Sequence, residues 1–200
     1  MPKKITPYIT QFFNRDKLAF TALSKVGHVS DAQLKQCGLA NSRIKNYVRD
    51  KLVEKVVIKE GKTKMEAYKL TKLGRELAES KWALRNHYHA QSPAHDLLIS
   101  NKYFSLSEVT RGTWQTETQA REKLLEYFYQ LKNQGQEQMA IIYEDMLSKG
   151  LISMPDGIYT NEQGLQVSFE VITNNYGVEE LQAKEAFIEI MKTEYETTRV

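Results

Sequence analysis

The sequence predicts an α+β protein of two small domains, on the evidence of three features. Basic and acidic residues are segregated, with 19 basic and 8 acidic residues in residues 1–90 against 9 and 17 in residues 91–200. The two stretches carry net charges of +11 and −8, which favours two units with different partners. Each stretch combines helical periodicity with runs of β-branched residues, and 41% of the residues are hydrophobic, enough for folded cores. We therefore expect domains at 1–90 and 91–200.

Membrane insertion and secretion are not expected. No apolar stretch approaches the roughly 20 residues that a membrane-spanning helix needs, and the first four residues are not followed by the apolar run of a signal sequence. Cys37 is the only cysteine, which excludes an internal disulfide and a cysteine-rich zinc site. The composition indicates a cytoplasmic protein, and the charge of the first stretch indicates a polyanionic partner.

The first stretch contains three helical patterns in succession. The first helix ends at Gly27, the second follows the N-cap Ser30 and ends at Gly38, and the third covers residues 42–51. The third helix has one apolar face and one basic face, as in the recognition helix of a helix-turn-helix. Arginine and asparagine can read base edges bidentately, while lysine neutralises phosphates. The basic face consists of Arg43, Lys45, Asn46 and Arg49, with Ser42 at its start.

A hairpin pattern follows. Residues 53–59 are rich in β-branched side chains, residues 61–62 form a turn, and residues 66–70 return before Thr71 caps a further helix. Residues 16–81 thus resemble the winged helix-turn-helix domains of bacterial DNA-binding proteins, with three lysines near the tip of the wing. The resemblance implies double-stranded DNA as the partner of a set of eight residues: Ser42, Arg43, Lys45, Asn46, Arg49, Lys59, Lys62 and Lys64.

The second stretch predicts two carboxylates on adjacent strands. We expect helices at 117–131, 139–147 and 178–193, and strands at 151–159 and 165–173. Asp156, in a Pro-Asp-Gly triplet, and Glu170 can then share Mg²⁺, whose bound water can attack a phosphodiester. Plain structural roles are the alternative, because Pro-Asp-Gly is also a turn signal and Glu117 suits a helix N-terminus.

The ordered series of motifs resembles the replication-relaxation family of bacterial plasmids and integrative elements. The matching residues are His95, Trp114, Glu117, Pro155-Asp156-Gly157, Phe169-Glu170-Val171 and Lys184. The resemblance implies a winged helix followed by a small restriction-endonuclease-like domain. It also implies candidate catalytic residues, namely Glu117, Asp156, Glu170 and Lys184, of which Asp156 and Glu170 are candidate metal ligands. Ile172 stands where the nuclease pattern has lysine, so we expect a catalytically degenerate domain that docks a partner.

The expected function is that of a double-stranded DNA-binding accessory protein of a plasmid or conjugative element. Such a protein would recognise an origin-type site and recruit a relaxase, a replication initiator or a second copy of itself. The alternatives are a transcriptional regulator of the element and a Mg²⁺-dependent nuclease. In the nuclease, Asp156 and Glu170 would hold the metal, Glu117 would assist and Lys184 would position water. The other two functions need no cofactor.

Overall fold

The computed structural model of the protein describes residues 7–60, 63–90, 92–174 and 176–199, and it has a mixed α+β fold with two sheets. This confirms the predicted α+β class. The chain divides into two compact units, residues 1–104 and residues 105–200. These units keep the charge segregation, with net charges of +11 and −8. No helix in the described ranges is long and apolar enough to cross a membrane.

The first unit has three helices before an antiparallel hairpin and two helices after it. Its elements are α1 (Asn14–Val26), β1 (Val29–Ser30), α2 (Asp31–Gln36), α3 (Asn41–Arg49), β2 (Val53–Glu60), β3 (Thr63–Leu70), α4 (Lys72–Trp82) and α5 (Pro93–Ser105). The sheet has the order β1-β3-β2, and both pairs are antiparallel. The three helices before the hairpin and the helix after it occur in the predicted order.

Side-chain caps fix the starts of α2 and α4. The Ser30 hydroxyl accepts a hydrogen bond from the Gln33 N–H, and the Gln33 side chain accepts one from the Ser30 N–H. The Thr71 hydroxyl accepts from the Gly74 N–H at 3.0 Å. These bonds satisfy N–H groups that have no partner within the helix itself. Both predicted N-caps, Ser30 and Thr71, are therefore confirmed.

The core of the first unit sets the orientation of α3. Ile44 and Tyr47 of α3 are buried, and Tyr47 packs edge-to-face on Phe20 of α1 with ring centroids 5.3 Å apart. Helix residues three apart share a face. Burying these two positions leaves Ser42, Lys45 and Arg49 exposed on the other side of α3.

The hairpin pairs along its whole described length, from Val53 opposite Leu70 to Glu60 opposite Thr63. The turn residues 61–62 lie outside the described residues, and so does the predicted phosphate contact of Lys62. The side chain of Lys59 also lies outside the described part of the chain. Of the three lysines predicted at the tip, the structure therefore describes the side chain of Lys64, which is exposed.

The second unit packs helices against a four-stranded sheet. Its elements are α6 (Glu108–Gly112), β4 (Gln115–Thr116), α7 (Glu117–Asn133), α8 (Glu137–Ser148), β5 (Gly157–Thr160), β6 (Gln166–Ile172), α9 (Val178–Met191) and β7 (Glu194–Arg199). The strand order is β4-β5-β6-β7, with β6 and β7 parallel. The core cluster comprises Ala120, Leu124, Phe128, Ile152, Met154, Ile158 and Phe187.

Three strands of this sheet differ from the prediction. The strand expected at 151–159 begins only at Gly157, because Pro155 has no N–H to donate to a ladder. The short strand β4 and the strand β7 were not predicted. Gly157 also allows a close approach, since a Cβ atom there would lie 2.2 Å from Cζ2 of the buried Trp114.

The predicted boundary at residue 90 is corrected by the position of α5. Residues 93–104 of α5 come after that boundary but belong to the compact unit 1–104. The buried Asp96 of α5 bonds His28, with 2.7 Å between Oδ2 and Nδ1. The Gln33 side chain forms hydrogen bonds with Asn101 and Ser100 of α5, at 2.9 and 2.8 Å. A buried polar group needs such partners, and α5 supplies them to the first unit.

Candidate nucleic-acid interface and carboxylate cluster

A groove of about 850 Å³ lies between α3 and the β2–β3 hairpin. We call it the basic groove, because five basic side chains line it: Lys35, Lys45, Arg49, Lys55 and Lys64. Asp31 neutralises Lys35 at 2.5 Å, and Glu66 neutralises Lys55 across the hairpin. The other three cations have no carboxylate partner within the described part of the chain. The groove therefore presents uncompensated positive charge.

The basic face of α3 contributes unequally to this groove. Lys45 and Arg49 are exposed and line it. Ser42 is exposed and Asn46 is half-buried, and both lie outside the lining of the groove. Arg43, the fifth α3 residue predicted to bind DNA, is half-buried like Asn46, but a carboxylate binds its guanidinium.

Arg43 is bound inside the first unit. Its Nε and one terminal nitrogen each lie 2.9 Å from the carboxylate of Asp16, which is fully buried on α1. Tyr47 and the Phe13 N–H also donate to Asp16. Burial acts to lower the pKa of the Arg43 guanidinium, but the hydrogen bonds and the negative charge of Asp16 raise that pKa, and the net shift is upward. Arg43 therefore ties α3 to α1 instead of pointing to solvent like Arg49.

The segment before α1 adds an aromatic ring beside the exposed end of α3. The Asp50 carboxylate accepts hydrogen bonds from the backbone N–H groups of Tyr8 and Ile9, at 2.9 and 2.8 Å. The guanidinium carbon of Arg49 lies 5.2 Å from the centroid of the Tyr8 ring, and Tyr8 is 60% exposed. Sequence reasoning missed Tyr8, because no local pattern relates it to a residue 41 positions later.

In the second unit, Asp156 and Glu170 are cross-strand neighbours. Gly157 pairs with Phe169, so the residue before β5 lies opposite Glu170 on β6. Glu170 Oε2 accepts a hydrogen bond from the Asp156 N–H at 3.0 Å, and Asp156 Oδ2 accepts one from the Val171 N–H at 2.8 Å. The structure therefore brings together the two carboxylates that the sequence analysis related to one another.

Lys184 of α9 and Tyr176 complete this group, which we call the carboxylate cluster. Lys184 Nζ lies 2.9 Å from Glu170 Oε1 and donates to the Met154 carbonyl. The Tyr176 hydroxyl donates to the same Glu170 oxygen at 2.6 Å. Tyr176 was not predicted, and its only sequence signal is an aromatic residue between β6 and α9. Lys184 and Tyr176 also line a groove of about 800 Å³ on the surface of the second unit.

Burial dominates the electrostatics of the carboxylate cluster. Glu170 is fully buried, and burial raises the pKa of its carboxyl group. The charge of Asp156 raises this pKa further, while Lys184 and Tyr176 act in the opposite direction. Burial also raises the pKa of Tyr195 to about 12, with a contribution from Glu170. Glu170 therefore binds a proton more readily than an exposed glutamate does.

Glu117 does not join the carboxylate cluster. It is an exposed residue at the start of α7, and the described residues show no contact between it and Asp156 or Glu170. Among the residues that the structure describes, no group of three or more His, Cys, Asp or Glu side chains is arranged to hold a metal ion. A divalent ion at the cluster would have two carboxylate ligands, Asp156 and Glu170.

The protein is thus an α+β chain with a basic groove in its first unit and a buried carboxylate cluster in its second. A scan against protein-family models finds no match for the sequence. A search of curated proteins finds no matching relative either.

Proposed function

We propose that this chain binds double-stranded DNA and that its first unit is a winged helix-turn-helix domain. The observation that supports this proposal is the basic groove, in which Lys45, Arg49 and Lys64 carry uncompensated charge beside an exposed helix. An α-helix is about 10–12 Å across with its side chains, which matches the roughly 12 Å width of the major groove of B-DNA. The order α1, β1, α2, α3, β2, β3 is also that of a winged helix.

Within this proposal, the exposed residues have separate roles. Arg49 and Asn46 contact base edges, since arginine and asparagine side chains can each make two hydrogen bonds to one base. Lys45, Ser42 and the hairpin lysine Lys64 contact phosphates, which fixes the protein on the duplex. Arg43 was predicted to read bases, but it does not contact DNA in this proposal because Asp16 binds its guanidinium.

We further propose that the duplex is an origin-type site of a mobile element and that the second unit docks a relaxase, a replication initiator or a second copy of the chain. The sequence resemblance to replication-relaxation proteins and the net charge of −8 support this role. An acidic surface repels DNA and attracts a basic protein. A transcriptional regulator remains the alternative, and a two-fold symmetric target site would favour it.

Selection of random-sequence duplexes by the full chain at about 0.15 M salt tests the DNA-binding proposal. We expect a selected sequence that is bound at least tenfold more tightly than an unselected duplex. Lys45→Ala should weaken binding to both duplexes, whereas Lys149→Ala, which removes an exposed lysine of the second unit, should weaken neither. Equal binding to all duplexes, or none, would contradict a sequence-reading protein.

The carboxylate cluster supports a second candidate function, a Mg²⁺-dependent nuclease. Asp156 and Glu170 would hold the ion, which would supply an activated water and stabilise charge at the phosphodiester. Lys184, 2.9 Å from Glu170, would orient that water. Because the Lys184 ammonium and the Tyr176 hydroxyl already bind Glu170 Oε1, the ion would compete with them for that oxygen.

Incubation of supercoiled and linear duplexes with the full chain, in Mg²⁺ or in EDTA, tests the nuclease. Mg²⁺-dependent cleavage that is lost in Asp156→Asn and in Lys184→Ala would support it. Asp145→Asn provides a matched control, because Asp145 is an exposed acid of the same unit paired with Lys149. A wild-type protein that binds the duplex and never cleaves it would remove the nuclease and leave the binding protein.

A further inference from the structure

We infer that Tyr8 positions Arg49 to recognise a guanine, and thereby sets part of the base preference of the chain. This inference rests on the proposed DNA-binding function and adds a positioning residue from outside the helix-turn-helix. Three observations support it: the anchoring of the Tyr8 backbone, the packing of its ring against the guanidinium, and the lack of a carboxylate partner for Arg49 among the described residues.

The backbone at Tyr8 is held at the end of α3. Asp50 immediately follows α3, and its two carboxylate oxygens accept the N–H groups of Tyr8 and Ile9 at 2.9 and 2.8 Å. Hydrogen bonds to an ionised acceptor are stronger than bonds between neutral groups. The Ile9 side chain is buried, which fixes the segment from the other side. The backbone that carries the Tyr8 ring is therefore fixed by the protein before any ligand arrives.

The ring and the guanidinium are at stacking distance. The guanidinium carbon of Arg49 lies 5.2 Å from the Tyr8 ring centroid, within the roughly 6 Å over which a cation is attracted to an aromatic face. An unrestrained arginine side chain populates many rotamers. Contact with the ring restricts Arg49 before binding, so less rotamer entropy is lost when DNA is bound.

The guanidinium of Arg49 remains available for a base. Among the described residues it has no carboxylate partner, unlike Arg43, which also lies near aromatic rings but is bound to Asp16. Stacking occupies the face of a guanidinium and leaves its N–H donors free at the edge. Guanine presents the paired acceptors N7 and O6 that this edge matches. The chemistry therefore favours guanine as the base that Arg49 contacts.

The test measures binding of the full chain to its selected duplex with guanines replaced one at a time by 7-deazaguanine, which lacks the N7 acceptor. Replacement of one particular guanine should weaken wild-type binding about tenfold. The same replacement should not weaken binding of Arg49→Ala. Tyr8→Leu, which keeps an apolar side chain but removes the ring, should weaken this discrimination about threefold. Tyr8→Phe should retain it, and Tyr8→Leu should have no additional effect in the Arg49→Ala background.

The controls separate the inference from the proposed function. Tyr129→Leu changes an exposed tyrosine of the second unit and should leave discrimination unchanged. Without DNA, the Arg49 δ-methylene protons should show an upfield ring-current shift in wild type and in Tyr8→Phe, but not in Tyr8→Leu. Three results would overturn the role of Tyr8 without affecting the DNA-binding function. They are unchanged discrimination in Tyr8→Leu, an equal loss of affinity on all duplexes, and the absence of the ring-current shift. A wild-type chain that selects no duplex would overturn the DNA-binding function, and the inference with it.

Discussion

The carboxylates of Asp156 and Glu170 are held by reciprocal hydrogen bonds to the backbone. Glu170 accepts one from the Asp156 N–H, and Asp156 accepts one from the Val171 N–H. The two acidic side chains are therefore held side by side in a buried part of the sheet. Two adjacent carboxylates disfavour simultaneous ionisation. Lys184, whose ammonium bonds Glu170, partly compensates for this repulsion.

Stability should depend on the protonation of Glu170. Burial and the charge of Asp156 raise its pKa above the ordinary value of 4.5, so the folded chain binds more protons than the unfolded chain in the range above that value. The contribution of Glu170 to the free energy of unfolding therefore falls as the pH rises through this range. Urea denaturation from pH 4 to 8 should show wild type losing stability relative to Glu170→Gln. A relative gain with rising pH would mean that Lys184 and Tyr176 lower the pKa instead.

Removing Asp16 should destabilise the first unit strongly. The Asp16 carboxylate accepts hydrogen bonds from Arg43, Tyr47 and the Phe13 N–H, so Asp16→Ala leaves the half-buried guanidinium without its carboxylate partner. Loss of one member of a buried ion pair costs about 3–5 kcal/mol. Chemical denaturation should detect this loss. Lys17→Ala, at the exposed neighbouring position, should change stability by less than about 0.5 kcal/mol, and a similar effect of both substitutions would argue against the ion pair.

A methyl group at Gly157 should not fit the second unit. An alanine Cβ at this position would lie 2.2 Å from Cζ2 of Trp114, which is buried and stacked on Tyr159. Overpacking of this kind costs about 1–3 kcal/mol. Gly157→Ala should lower the thermal midpoint of the second unit. Gly112→Ala serves as the matched control, because a Cβ there has no neighbour within 4 Å among the described atoms, and equal midpoints for the two variants would refute the clash.

If Lys45 contacts a phosphate, the salt dependence of DNA binding should decrease in Lys45→Ala. Each neutralised phosphate contributes about 0.9 to the slope of log affinity against log salt concentration. Titrations between 50 and 200 mM salt should therefore give a slope that is smaller by about one unit, on selected and unselected duplexes alike. Lys149→Ala should leave the slope unchanged. A Lys45→Ala protein with the wild-type slope would exclude Lys45 from the phosphate contacts.

Features that depend on local sequence could be predicted. Ser30 and Thr71 cap helices through bonds to residues three positions away, so the sequence signal and its partner lie in one short window. The relation between Asp156 and Glu170 could be predicted as well, because a turn and an alternating strand set their positions. In each case, the energy that decides the conformation comes from near neighbours.

Features that depend on distant partners could not be predicted. Arg43 has the helical position of a DNA-reading residue, but a bond to Asp16, 27 residues earlier, turns it inward. The strand β7 is charged along its length and forms through parallel pairing with β6 across the whole of α9. Parallel strands need such a crossover, and β7 lacks the alternating apolar residues that predicted β6.

The bond between Asp96 and His28 has a practical consequence for preparing the first unit as a separate fragment. A fragment that stops at residue 90 would lack Asp96, which binds the buried His28, and Asn101, which binds Gln33. Exposing such groups costs both packing and hydrogen bonds. A fragment that ends at residue 104 keeps these partners and is the better choice for crystallising the unit with an oligonucleotide.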